Sequence, residues 1–376
     1  MHNSLFNGIY KAKRDSITII FCFFLLLLNG CKSTKIQKAE IIFEKSSSLS
    51  AFMNTVSSVK LIPIYDDPVL GSRVELFATN DHFLLCDMNN DVISSYDKEG
   101  NYERAIGRKG NGPDEYQKIT NVQIVNDSTI AVITSFNGIL FYNFDGLFLN
   151  RINEGNLGLQ SALLGKDIIT YYGYMPTAKN RVGILREGIL VEEYLPTSNP
   201  AIPYSTTIPQ FCLKNDSAFI IDSYSNILYR YYNGTLEENY IFNFGKYQVP
   251  KEYYQSKDVF KGAELLLNSD FAYIQRFMEG DHYCLVEVVV HDNQGLSFHY
   301  GLRKDNDWRW FGENKDKNVF AETPRSLVND KLFILIPPEK LKSTLSLYKH
   351  YITNMEEIET FDEDRLNYVI GEISFL

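Results

Sequence analysis

After residue 56 the chain is built from short runs in which apolar and polar residues alternate, each run closed by Gly, Asn or Asp. Alternation with period two gives a strand with one buried face. Three segments share one plan: LLCDMNNDVISSYDKEGNYERAIG (84–107), AVITSFNGILFYNFDGLFLNRI (131–152) and FIIDSYSNILYRYYNGTLEENYIF (219–242). In each, an apolar strand leads to a polar residue, a second polar residue three positions on, and an aliphatic residue three further. The triplets are Asp87/Asn90/Ile93, Thr134/Asn137/Leu140 and Asp222/Ser225/Leu228. A second strand follows and turns at Gly100, Gly146 or Gly234. A fainter copy has its strand at Ile168–Tyr172 and its turn at Gly188 in RVGILREGILVEEY. The turn glycines are thus 46, 42 and 46 residues apart.

A period near 45 residues matches four short antiparallel strands, the size of one propeller blade. One such sheet cannot bury both its faces, so its neighbours must stack around an axis. Strands resume at HYCLVEVVVH (282–291), GLSFHYGLR (295–303) and Trp308–Phe311, and a sixth unit begins at SLVNDKLFILIPP (326–338). The segment between Pro250 and Gly280 loses the alternation and predicts one or two helical turns inserted over a blade. Leu341, Leu345, Tyr348, Ile352 and Met355 recur at 4, 3, 4, 3 spacing, which predicts an amphipathic helix. Terminal strands at 59–65 and 366–376 can close the ring within one blade and leave no free edge. The expectation is an all-β, six-bladed propeller over 57–376, six blades rather than seven, with a small helical insertion and a C-terminal amphipathic helix before the closing strand.

The first 30 residues have a different pattern. Lys11, Lys13 and Arg14 precede the 12-residue apolar stretch Ile17–Leu28, too short to cross about 30 Å of hydrocarbon as a permanent helix. The stretch ends in Leu28-Asn29-Gly30-Cys31, which resembles a lipobox, the bacterial lipoprotein signal that leaves a diacylated cysteine as the new N-terminus. The plainer alternatives are an uncleaved anchor or an ordinary secretory signal. Residues 1–30 are therefore read as a signal peptide, Cys31 as the lipid attachment, and polar residues 31–56 (KSTKIQKAE, then SSSLS) as a tether. Lys32 stands where an inner-membrane retention signal would place Asp, and no acidic run follows to suggest surface export. The expected location is an outer-membrane anchor, with the periplasmic face favoured.

Composition narrows the function classes. The 376 residues carry a formal net charge of −10, with 44% hydrophobic and 14% aromatic residues. That is globular composition, and the absence of a basic block argues against nucleic acid. Beyond Cys31, the exported chain holds Cys86, Cys212 and Cys284, all in apolar surroundings. They read as buried free thiols, with one disulfide plus one thiol as the alternative. No CxxC, GxSxG, HExxH or EF-hand loop is present, and no cofactor is expected.

The most individual stretch is IGRKGNGPDEY (106–116). Its glycines do not fit GxxxxGK[ST] or GxGxxG, and Pro113 stands where a phosphate-binding helix would begin. Gly107, Gly110, Gly112, Pro113 and Tyr116 read as a blade-to-blade connector. The tight path before Pro113 suggests positive φ at Gly110 or Gly112. Arg108, Lys109 and Asn111 are the candidate partner contacts. The run from Asp87 to Tyr116 resembles the NHL-type repeat. It is similar also to the six-bladed, TolB-like propeller lipoproteins of Bacteroidota, which carry IGxxGxGPxEY after their first clear blade. That resemblance implies a six-bladed propeller on a lipid anchor, in a family whose members mostly lack an assigned activity.

Other candidates are weaker. His291, His299 and Asp292 flank one hairpin and could suggest a metal site, but solvated strand residues are the plainer reading. Asp66/Asp67 and Asp362/Glu363/Asp364 could serve as glycosidase carboxylates only if buried together about 5–9.5 Å apart. Two function classes follow. The first is a non-enzymatic envelope lipoprotein that binds a partner protein, peptide or glycan through one propeller face. The second is a glycan-acting lyase or hydrolase. Acids and His converging on the axis would favour the second.

Overall fold

The repeats fold into six sheets, each antiparallel over its four propeller strands. The computed structural model describes residues 39–44, 49–135, 137–153, 157–175, 177–197, 210–222, 224–256, 258–305, 307–312, 320 and 322–376. The expected signal peptide, Cys31 and the first part of the tether lie outside these residues. Blade 1 is Val74–Ala78, Phe83–Asp87, Val92–Tyr96 and Tyr102–Ala105. Blade 2 is Ile119–Asn126, Thr129–Thr134, Ile139–Asn143 and Phe148–Ile152. Blade 3 is Gln160–Leu164, Asp167–Tyr171, Asn180–Arg186 and Ile189–Pro196. Blade 4 is Phe211–Lys214, Ser217–Ile221, Ile227–Tyr232 and Thr235–Asn243. Blade 5 is Phe271–Glu279, Tyr283–Asp292, Gly295–Lys304 and Asp307–Gly312. Blade 6 is Pro324–Val328, Lys331–Ile336, Leu366–Phe375 and, from the other end of the chain, Val56–Tyr65.

The core lies between blades, and one strand shows why. All five residues of Phe83–Asp87 are buried. Phe83 and Leu85 pack toward blade 6, whereas Leu84 and Cys86 pack toward blade 2. Both faces of the pleat are thus apolar, and each such side chain contributes roughly 1.5–3 kcal/mol on burial. Every neighbouring pair of blades shares a cluster of this kind. The ring closes as the pattern predicts: Leu366–Phe375 pairs with Val56–Tyr65 on one side and with Lys331–Ile336 on the other. Phe83 and Phe333 meet across the junction of blades 6 and 1, with ring centroids 5.6 Å apart.

Three expectations need correction. The tether does not extend to residue 56. Ala39–Ile42 forms a fifth strand, parallel to Thr235–Asn243, on the outer edge of blade 4. Trp310 of blade 5 then donates its indole N–H to the Ile42 carbonyl at 3.0 Å. In the short helix Leu49–Met53, Phe52 is buried against Phe311 and Phe320. Residues 39–44 and 49–53 therefore belong to the propeller, with Ile42 and Phe52 in contact with blade 5 and its neighbouring loop. The helical insertion also ends sooner than expected. It comprises Lys251–Gln255 and Val259–Leu267, the latter capped by Asp258, and Phe271–Glu279 is already the inner strand of blade 5. The C-terminal helix stops at Tyr348, and a separate turn forms at Met355–Ile358. Between them Asn354 leaves the helical path because its side chain pairs with both the N–H and the C=O of Leu61, at 3.1 and 2.8 Å.

In each blade the chain runs outward from the axis, which sorts the connections onto two faces. Links from first to second strand and from third to fourth strand span two to five residues each. In blade 6 the chain ends meet on this hairpin face, where Leu376 N–H donates to the Thr55 carbonyl at 2.9 Å. The opposite face carries the long connections: 106–118, the helical insertion at 244–270, and the helical segment 337–365.

Candidate functional site

The connector 106–118 belongs to this loop face, and a single carboxylate organises it. Glu115 accepts from the Gly112 N–H at 2.7 Å and pairs with Arg108 Nε at 2.6 Å. Arg151 from blade 2 donates to the Glu115 carbonyl at 3.1 Å. Tyr116 N–H donates to the Arg108 carbonyl and Gly110 N–H to the Tyr116 carbonyl, each at 3.1 Å. The loop thus folds back into a small closed ladder. Below it, the Tyr116 hydroxyl donates to the Ile106 carbonyl and the Tyr142 hydroxyl to the Asp114 carbonyl, both at 2.8 Å.

The positive φ expected at Gly110 or Gly112 falls instead on Gly107, at +64°. A β-carbon there would also come within 2.6 Å of the Tyr142 ring. At Gly110 the reason for glycine is space: a β-carbon would meet the Glu115 carboxylate at 1.9 Å, and at Gly112 at 3.0 Å. Glu115 was not among the residues singled out from the sequence. The signal was present in the GPxE spacing, but its hub role depends on a chain reversal that no local pattern specifies.

The three candidate contact residues are all partly exposed and all engaged. Arg108 is 71% exposed at its side chain and held by Glu115. Lys109 Nζ lies 3.1 Å from Asp91 Oδ2, and Asn111 Oδ1 accepts from Gln117 Nε2 at 2.5 Å. Asp91 ties the loop to its own blade, since its Oδ1 accepts from Ile119 N–H at 2.9 Å. Neighbouring Asp87, the first residue of the DxxN triplet, is buried. It accepts from Gly71 N–H, Asn89 N–H, Asn90 N–H and Asn90 Nδ2 at 2.7–3.1 Å. Burial alone would raise its carboxyl, yet those donors hold it below the usual carboxylate range. In blade 2 Thr134 fills the position, accepting from Asn137 N–H at 2.8 Å. In blade 4 Asp222 accepts from the Tyr171 hydroxyl at 2.9 Å and pairs with Arg181 at 2.6 Å.

The six inner strands enclose an axial cavity of about 280 Å³. Its wall has two unlike halves. Across blades 2, 3 and 4 amide side chains bond to the backbone of the next blade. Asn121 donates to the Ser161 carbonyl, Gln123 brackets Leu163, and Gln160 accepts from Gln210 N–H. Across blades 5, 6 and 1 the wall is charged. Arg325 Nη1 donates to Glu75 Oε1 at 3.0 Å. Arg276 is only 7% exposed, and its nitrogens lie 3.7 Å from Glu75 Oε2 and from Glu287 Oε2. Arg276 Nε, Arg325 Nε and Glu287 Oε2 have no hydrogen-bond partner among the described residues. Leaving such groups unpaired costs about 1–3 kcal/mol each, or more for a charge. Burial pushes the Glu287 carboxyl above its ordinary range, against the pull of Arg276 and Arg325.

The remaining sequence candidates do not converge on the axis. His299 is buried, not solvated, with its ring 5.5 Å from that of Phe43. His291 packs on Phe271 at 5.0 Å. Among the described residues no group of three His, Cys, Asp or Glu is placed to hold a metal. Asp66 pairs with Arg365 at 3.3 Å on an exposed edge. Cys86, Cys212 and Cys284 are free thiols, the first and last buried.

No curated protein matches the sequence. Among solved structures, the fold is similar to a Bacteroides fragilis protein described as exported, at 16% identity and a TM-score of 0.68 over 90% of this chain and 100% of that one. It is also similar to a member of the DUF4221 family from Bacteroides vulgatus, at 11% identity and a TM-score of 0.50 over 86% and 98%. At sequence level, the domain of unknown function DUF4934 matches residues 36–371, from just before the added edge strand to within the closing strand. The chain belongs to the DUF4934 family, built here as a six-bladed β-propeller.

Proposed function

We propose that the chain is a lipid-anchored cell-envelope propeller that binds a partner protein, peptide or glycan through its loop face and catalyses no reaction. The observation that carries this reading is the sorting of connections. The hairpin face is all tight turns, whereas the other bears the 106–118 connector and both helical segments. Loops set on a rigid scaffold are where recognition usually resides. The Asp91–Lys109 and Glu115–Arg108 pairs pre-shape the connector, so a partner need not order it on binding. The anchor rests on the lipobox-like Leu28–Cys31, and the periplasmic leaflet of the outer membrane on Lys32. The likeness to an exported Bacteroides protein agrees with export, and the connector keeps the pattern of NHL-like and TolB-like propeller lipoproteins.

Two variants test the reading. Cys31→Ser should release the protein from the membrane fraction; continued membrane association would refute the anchor. Arg108→Ala with Lys109→Ala should lose whatever co-purifies from the native envelope while melting stays unchanged.

A glycan-acting enzyme is the second reading, and the raised carboxyl of Glu287 near the axis favours it, because a general acid must be protonated at working pH. Glu287 lies outside the cavity lining, however, and the acids there are paired with arginines, not with His. Turnover of envelope glycans that is abolished by Glu287→Gln would move this reading to first place.

A further inference from the structure

We propose that the axial cavity is a binding site for a small organic carboxylate, held by the guanidinium groups of Arg276 and Arg325. Both arginines line the cavity from the inner strands of adjacent blades, and each stands at an irregularity in its strand. In Phe271–Glu279 the register slips between Ile274 and Arg276, and in Pro324–Val328 it slips between Pro324 and Ser326, leaving Arg325 as the extra residue. A bulge of this kind re-aims a side chain that regular pleating would send elsewhere. Two bulges in neighbouring inner strands bring both guanidinium groups to one wall.

Neither group is fully used there. Arg276 is more than nine-tenths buried, and its nearest carboxylates are at 3.7 Å, outside hydrogen-bond reach. Arg325 spends one terminal nitrogen on Glu75, while its Nε has no partner among the described residues. A purely structural ion pair would close to about 2.7–2.9 Å. The looser spacing leaves Arg276 Nε, like Arg325 Nε, without an acceptor among the described residues. Charge points the same way. Arg73 at the rim adds a third cation, whereas the other lining carboxylate, Glu279, is already taken by Arg303.

The planar guanidinium fork matches a carboxylate in geometry. Phe77, Leu213 and Leu327 supply apolar wall for a short carbon skeleton. The volume of about 280 Å³ falls just below the ~300 Å³ at which drug-sized ligand pockets start, which suits a small carboxylate. This inference stands apart from the loop-face reading, because Arg108 and Lys109 play no part in it.

Isothermal titration of the purified full-length chain with acetate, lactate and D-glucuronate tests it, with methyl glucoside and inorganic phosphate as controls. At least one carboxylate should bind at a single site, and methyl glucoside should not. Arg325→Gln, at a half-buried position, should weaken that binding by roughly tenfold or more with melting unchanged. Arg276→Gln should abolish it. Should Arg276→Gln not fold, Arg325→Gln and a ligand-induced rise in melting temperature of the unaltered chain decide alone. Absence of carboxylate binding, equal binding by Arg325→Gln, or tighter binding of phosphate than of every carboxylate would overturn the proposal.

Discussion

Glu115 reaches back across Pro113 to accept the Gly112 N–H at 2.7 Å, and the same carboxylate would stand 1.9 Å from any β-carbon added at Gly110. The connector is therefore shaped by a side chain and not by glycine torsions at these two positions. Glu115→Ala should lower stability by about 1–3 kcal/mol, since a part-buried donor loses a charged acceptor. Arg108→Ala, at an exposed position, should change it by less than about 1 kcal/mol. Chemical denaturation of both variants checks the contrast, and equal losses would contradict it.

Gly107 should be the least replaceable glycine of the connector. Its φ of +64° opposes any β-carbon by about 1–2 kcal/mol, and the Tyr142 ring blocks the space as well. Gly107→Ala should therefore cost more than Gly112→Ala in the same denaturation experiment.

Much of this architecture is legible in the sequence, and the misses share a cause. The hairpins at Gly100, Gly146, Gly188 and Gly234 could be read because turn chemistry is local. The closing pair 59–65 and 366–376 could be read because a ring must hide its edges. Ala39–Ile42 could not, since its partner Thr235–Asn243 lies some 200 residues away and AEII alone has no strand signature. The helix predicted through Met355 ends at Tyr348, since Tyr351 and Thr353 pair with the backbone of Val59 and Asn354 with that of Leu61, both in a distant strand. The charged half of the cavity was likewise invisible, since Glu75, Arg276 and Arg325 are separated by up to 250 residues. Bulges, not motifs, bring them together.

Asp87 makes acid stability depend on one buried carboxylate. Its folded-state value is lowered, so its contribution is present above the unfolded value near ~4 and is lost as pH falls through the folded one. Asp87→Asn should flatten the acid limb of the stability profile below about pH 4 and lower stability at pH 7. An unchanged acid limb would show that the hydrogen bonds from Gly71 and Asn90 do not govern it.

Deleting Leu366–Leu376 removes an internal strand of blade 6 and strips Val56–Tyr65 of its ladder. The truncated chain should aggregate or be rapidly proteolysed. A soluble product with unchanged melting would contradict ring closure by the two chain ends.

The thiols should be unreactive until the ring opens. Burial pushes Cys86 and Cys284 far up, and Cys212 to about 12. With the thiolate scarce, alkylation of Cys86, Cys212 and Cys284 at pH 8 should be slow in the folded protein and should go to completion in denaturant. Fast labelling of the native protein would contradict the burial described for Cys86 and Cys284.

The loop face is tested most directly by photo-crosslinking in the intact envelope. One set of probes replaces loop-face residues such as Asn111 and Gln117, and the other replaces hairpin-face residues such as Ser128, Asn215 and Asn329. Crosslinked partners are expected from the loop-face probes and should be lost when Arg108 and Lys109 are both changed to Ala. Partners captured only from the hairpin face, or loop-face crosslinks indifferent to that double change, would contradict it.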